Sequence, residues 1–189
     1  NGVLKSTSIK KKGIWLPNKF SAGGVFNKKK RTTDITWVNE YKTVSYINVP
    51  IIDLKKYHEV QKSSLVNVID PITAFMRVIE KINDEYTCDQ NFKVFDGRRR
   101  YDLEIKIIGN RTIDNDRPKS YKGDVLICGL RVFPIGGHRL KTKWKPSEDK
   151  ISDIKVFFGK NQNKDYVPVR VQIERWFGTL VIRLIRKTL

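Results

Sequence analysis

Residues 88–108 read CDQNFKVFDGRRRYDLEIKII and carry the clearest strand alternation in the chain. Asp96-Gly97 in the middle is a hairpin-turn pair, so the stretch reads as two antiparallel strands. In the second strand Tyr101, Leu103, Ile105 and Ile107 share one face. Arg98, Arg100, Asp102, Glu104 and Lys106 share the other, a mixed-sign row that can pair along the strand. Arg99 falls in phase with the apolar face. Either the strand begins after it, or Arg99 points inward near the mouth of the sheet. An inward arginine needs a carboxylate, carbonyls or a bound anion. Asp96 and Asp102 are the local carboxylates. Arg99, Asp96 and Asp102 are therefore the candidate inward ion-pair or anion site, with the ion pair preferred.

Outward from the hairpin, the pattern stays that of short strands. Upstream, residues 1–9 read as a strand, and Lys10-Lys11-Lys12-Gly13 as a basic turn. Trp15-Leu16-Pro17 leads into a strand over 20–26, and residues 27–31 form a second basic turn. Residues 34–38 and 41–49 read as a hairpin turning at Asn39-Glu40. The one helix runs from about Asp70 to Ile82. Asp70 is its N-cap, and Pro71 takes the first helical position, where a missing N–H costs nothing. Ile72, Phe75, Met76 and Ile79 form its apolar stripe. Downstream, residues 110–123 are rich in Asn, Asp, Pro and Gly and read as a surface loop. Residues 125–133 are apolar on both faces, as a central strand is. Pro134 to Gly137 breaks that strand, residues 139–144 continue it briefly, and Lys145-Pro146 turns again. Strands follow over 154–158, 167–173 and 180–184. The expected fold is mainly β: an antiparallel, strongly curved sheet or incomplete barrel with one α-helix.

The 189 residues fit one compact domain. At 39% hydrophobic, the chain can bury a core of its own. With 38 Lys and Arg against 20 Asp and Glu, the net charge is +18, which favours anionic partners. The plain alternative is a basic protein whose lysines are only solvated. No apolar run is long enough to cross a bilayer as a helix. Two cysteines and two histidines stand at no zinc spacing, so no metal and no cofactor are expected. His58 and His138 have no nucleophile in pattern with them, and no catalytic residue is assigned. Pro134-Ile135-Gly136-Gly137-His138 lacks the context of a phosphate loop and reads as a bulge or corner. Trp15, Trp37, Trp144 and Trp176 suit strand cores or rims, an acyl-chain groove, or base stacking.

Four pieces, in order, carry a likeness: VIDPITAF from Val68, FDGRRRYDL from Phe95, ICGLRVFPIGG from Ile127 and VPVRVQIERWFGTLVIRL from Val167. On these the chain resembles the bacterial domain of unknown function 3108 family, and within it the alphaproteobacterial exported branch. The resemblance implies a periplasmic protein made with a signal peptide, a β-rich curved sheet or open barrel, and no established enzymatic activity. It also implies that the first strands and the signal peptide are missing here, so that residues 1–189 are a single domain entered part-way. Export would give Cys88 and Cys128 an oxidising environment and each other as disulfide partners. The alternative is two buried reduced thiols.

The functional expectation is an envelope-associated binding or structural protein that meets an anionic envelope component or an envelope protein. A nucleic-acid-binding basic β-barrel is the alternative from another class. A carrier holding a lipidic ligand in a concave β-sheet is the second alternative.

Overall fold

A computed structural model describes residues 2–26, 28–39, 41–141 and 150–185, with only the backbone of Phe26. Asn1, Asn27, Glu40, Trp144 and the Lys145-Pro146 turn lie outside the described residues. The element order is β1 (Gly2–Lys11), β2 (Ile14–Phe26), β3 (Lys29–Val38), β4 (Thr43–Val49), α1 (Pro71–Glu85), β5 (Gln90–Phe95), β6 (Arg100–Ile113), β7 (Gly123–Gly136), β8 (Ile154–Lys160), β9 (Tyr166–Arg175) and β10 (Gly178–Arg183). Four strands form one sheet in the order β1-β2-β3-β4, and six form another in the order β10-β9-β8-β7-β6-β5. Both are open sheets. The mainly β, antiparallel, one-helix class read from the sequence stands.

The chain divides into two compact units. The first holds the described residues of 1–77, 92–103 and 132–146. Its β3 shows why a strand forms: Thr33, Ile35 and Trp37 are buried while Asp34, Thr36 and Val38 are exposed, the period of a half-buried strand. Ile35 and Trp37 join Phe20, Leu65, Val68 and Phe95 in one core. The Trp37 indole is satisfied there, because Nε1 donates to the Val68 carbonyl at 2.7 Å. Pro17 sits inside β2, earlier than the expected strand start, and the register of β1 on β2 shifts between Thr7 and Ser8 to skip Asn18. That bulge places the residue that lacks an N–H. Asp70 is wholly buried and caps the helix, its Oδ1 accepting from the amides of Ile72 at 2.9 Å and Thr73 at 3.0 Å.

The second unit holds the described residues of 78–91, 104–131 and 147–189. Its core gathers Ile113, Val125, Phe157 and Val169, with Tyr121 partly buried against them. The Phe157 ring lies between the guanidiniums of Arg111 and Arg170, 5.3 and 5.5 Å from its centroid. Strand β7 is central, between β8 and β6, as its two apolar faces required. The Asn83 side chain bonds the Tyr166 backbone twice, Oδ1 accepting from the amide at 2.7 Å and Nδ2 donating to the carbonyl at 3.4 Å. Burial pushes the Tyr166 phenol up to about 12.

Three expectations are corrected. The most buried line of α1 is Ala74, Val78 and Ile82, each 2% exposed or less, whereas Met76 of the expected stripe is 39% exposed. A small residue at 74 turns that face inward, and an apolar count that passes over alanine cannot see it. Residues 110–113 are strand, not loop: Thr112 bonds Asp124 at 2.5 Å and Ile113 is buried. Pro134 does not end β7, which runs to Gly136. Pairing with β8 stops at Leu130, so beyond that point a proline removes no bond on the β8 side.

Cys88 and Cys128 are fully buried and bonded to each other, their Cα atoms 6.4 Å apart. The bridge ties the segment after α1 to β7 across a sequence separation of 40. In the chain-entropy account such a loop is worth roughly 3–4 kcal/mol. The variant C88A/C128A is therefore expected to lose that much unfolding free energy in a urea titration. A midpoint equal to that of the parent would contradict it.

Candidate ligand groove

The turn between β5 and β6 is built by Asp96. Its Oδ1 accepts from the amides of Arg98 at 2.9 Å and Arg99 at 2.6 Å, and its own amide donates to the Arg99 carbonyl at 3.1 Å. Gly97 carries φ +86°. The central pair is thus Gly97-Arg98, with positive φ on the first residue only, as in a type II′ hairpin. A Cβ on Gly97 would stand 2.0 Å from Thr33 Cγ2. Glycine is needed here for close approach as much as for dihedral freedom.

The triple arginine divides into three roles. Arg98 reaches over the end of the β3–β4 ladder. Its Nη2 donates to the carbonyls of Thr32 at 3.2 Å, Val49 at 3.1 Å and Pro50 at 3.3 Å. The Val49-Pro50 peptide is cis. Arg99 does not point inward. Its side chain is 67% exposed and meets Asp96 at 3.4 Å. The strand begins after it, at Arg100, which is the first of the two readings its phase allowed. Arg100 is the inward residue, 4% exposed, although its phase assigned it to the outer row. Its Nε donates to the Ser64 carbonyl at 2.9 Å, and Nη1 sits 2.7 Å from Asp102 Oδ1, an ion pair rather than an aligned hydrogen bond. Asp96 and Asp102 therefore serve different arginines, and the expected three-residue site is two separate pairs.

Around this turn the first unit forms a groove of about 440 Å³. Tyr46, Ile47 and Asn48 come from β4, and Ile51, Ile52 and Leu54 from the segment after Pro50. Gly97 and Gly137 close it at the back. Asn48 pins the edge strand to the turn, Nδ2 donating to the Gly97 carbonyl at 2.7 Å and Oδ1 accepting from the Thr33 hydroxyl at 2.6 Å. Ile51 is 88% exposed, Ile47 68% and Leu54 57%. These three exposed apolar side chains share one groove lining.

His58 lines the groove, and His138 packs against it. Residues 56–58 pair with residues 138–140, through His58 N to His138 O at 2.8 Å and Leu140 N to Lys56 O at 3.0 Å. The rings of His58 and His138 stack at 4.0 Å. Burial, with the His58 ring beside it, holds His138 below the usual imidazole range. Nothing in the sequence spacing signalled this pairing, because 80 residues of chain are brought round to make it. The adjacent bridge joins Tyr57 to Arg139. A hydrogen bond from Arg139, together with the charges of Arg139, Arg31 and Arg98, pulls the Tyr57 phenol below its usual range. Burial, then the charge of Arg31, lowers the Arg98 guanidinium. Arg139 thus bonds the phenol, and the charges of Arg31 and Arg98 act on it. Glu59 is the one carboxylate among the described lining residues.

The family model for "Protein of unknown function (DUF3108)" matches residues 2–185. The chain belongs to this family. No curated protein and no solved structure matches it. Two of the pieces by which the DUF3108 resemblance was recognised meet in the groove. FDGRRRYDL is the Gly97-Arg98 turn and the first residues of β6. The last residue of ICGLRVFPIGG is Gly137, where an added Cβ would lie 1.9 Å from the Arg98 carbonyl oxygen.

The three arginines are expected to separate in mutagenesis. Arg100→Ala removes charge-assisted bonds from a buried site and should cost about 1.5–3 kcal/mol. Arg99→Ala, at an exposed side chain, should stay within about 0.5 kcal/mol. Thermal or urea unfolding of the two variants checks this. Equal losses would contradict the assignment of Arg100 as the inward residue.

Proposed function

We propose that the protein is an exported, periplasmic binding protein without enzymatic activity, and that its ligand is an anionic amphiphile. The acyl portion lies in the groove of the first unit, and the headgroup is met by Arg31 and Arg139. One observation carries the reading: exposed Ile47, Ile51 and Leu54 line one groove of about 440 Å³, and the charges of Arg31 and Arg139 both act on Tyr57, next in sequence to the lining residue His58. Apolar surface takes the chain at about 25 cal/mol per Å² buried. Guanidiniums take phosphate or carboxylate as forked donors. The buried Cys88–Cys128 disulfide supports an oxidising compartment. No helix among the described residues is long and apolar enough to cross a membrane.

Net charge favours a second reading, a nucleic-acid-binding protein. The two differ in what they respond to. Nucleic-acid affinity falls steeply with salt, whereas acyl-chain burial does not.

Titration with a fluorescent fatty acid and with its neutral alcohol analogue tests the proposal. The acid should bind about tenfold more tightly, a difference of 1.4 kcal/mol. I51D/L54D, which alters exposed side chains only, should lose both probes. Equal binding of acid and alcohol, or full binding by I51D/L54D, would overturn it. So would an affinity for single-stranded DNA that exceeds the acid's and collapses between low and moderate salt.

A further inference from the structure

The hairpin of β9 and β10 in the second unit ends in Trp176 and Phe177, which no part of the groove reading uses. Gly178 pairs with Arg175, so these two aromatics are the whole turn. Two-residue hairpin loops ordinarily hold Gly, Asn or Asp, because φ must be positive there. Neither aromatic carries positive φ, and the turn is eased by Gly178 at φ +138°. Turn chemistry therefore does not account for them. Packing does not either: Trp176 is 96% exposed and Phe177 74%, touching each other edge to face at 5.4 Å.

The tip continues an apolar row. On β10, Leu180 and Ile182 share a face, and Leu184 follows in phase. They are 57%, 54% and 58% exposed. Their neighbours across the ladder are Ile173 and Val171, with the Leu184 amide bonded to the Val169 carbonyl. Strand β10 is the edge of its sheet. Between residues 175 and 185 there are two arginines and no acidic residue. The nearest carboxylate in sequence, Glu174, is held by Lys155 at 2.5 Å, and Arg183 is paired with Asp116, its Nε donating to Oδ1 at 2.7 Å.

We propose that this tip docks the protein on an anionic lipid bilayer, with Trp176 and Phe177 entering the interfacial layer. Trp is the residue best suited to that layer, with an apolar ring and one N–H to satisfy. Two exposed aromatics on a chain of net charge +18 give the two signals that peripheral binding needs, apolar insertion and attraction to acidic headgroups. A second copy of the chain fits less well, since each carries +18.

The test is flotation with vesicles of phosphatidylcholine alone and of phosphatidylcholine with phosphatidylglycerol. Wild type, W176S/F177S and W176F are compared, and circular dichroism and melting verify that all three are folded. Wild type should float with the anionic vesicles, and W176S/F177S should bind them at least about tenfold less tightly. W176F should bind nearly as wild type but lose the fluorescence quenching that brominated lipids cause at Trp176. Undiminished binding by W176S/F177S would show attraction by charge alone and overturn the proposal. Absence of wild-type binding to anionic vesicles would overturn it too. So would aromatic-dependent self-association, or aromatic-dependent binding to an oligonucleotide, in place of vesicle binding.

Discussion

The first unit depends on one guanidinium. Arg98 donates to three carbonyls at the frayed end of the β3–β4 ladder, where strand pairing stops and the chain turns away through Pro50. Carbonyls at a strand end have no ladder partner and must be satisfied by another group or by water. All three face the same nitrogen, Nη2, whose two N–H bonds they share, on a guanidinium that stays charged. The side chain can reach only because Asp96 folds the turn and Gly97 lets it lie against Thr33. Gly137 then lets the residues after β7 pass against the Arg98 carbonyl, which carries the histidine pair to the same place. Turn, edge strand and post-proline segment are held as one, and the apolar groove is the space among them.

In the second unit a covalent bond has the comparable role. The Cys88–Cys128 bridge holds the segment after α1 to the central strand β7, and the Asp89 side chain accepts from the Ile107 amide at 2.7 Å beside it. Farther along the sheet, packing loosens toward β10, whose apolar row faces outward. A stable central strand and an exposed edge are compatible when the edge has a surface to meet.

Much of the fold was legible in the chain, and the reasons differ by feature. Strand alternation is local, so the strands of both sheets could be read, as could the Asp70 cap and Pro71 at the start of α1. The helix face was misjudged because Ala74 looks neutral by hydropathy and inward by size. Strand β6 was cut short because Asn110, Arg111 and Thr112 are loop-like in composition, while pairing decides their state. The triple arginine shows the limit most clearly. Phase alone singled out Arg99, yet a turn resets phase, and the strand starts one residue later. Arg100 is inward, and Arg98 has its partners 48 to 66 residues away. The groove was not legible at all. Its lining, from Tyr46 to Gly137, comes from segments with no shared local signal, and only the fold brings them together.

The central claim is that the Arg98 fork, more than β pairing, holds the open end of the four-stranded sheet. Native-state hydrogen exchange on Arg98→Gln against wild type tests it most directly. The amides at the Thr32–Val49 end of the β3–β4 ladder should exchange at least about tenfold faster, a loss near 1.4 kcal/mol, while those at the Val38–Thr43 end keep their protection. Unchanged exchange at Thr32, Thr33 and Val49 in Arg98→Gln would contradict the account.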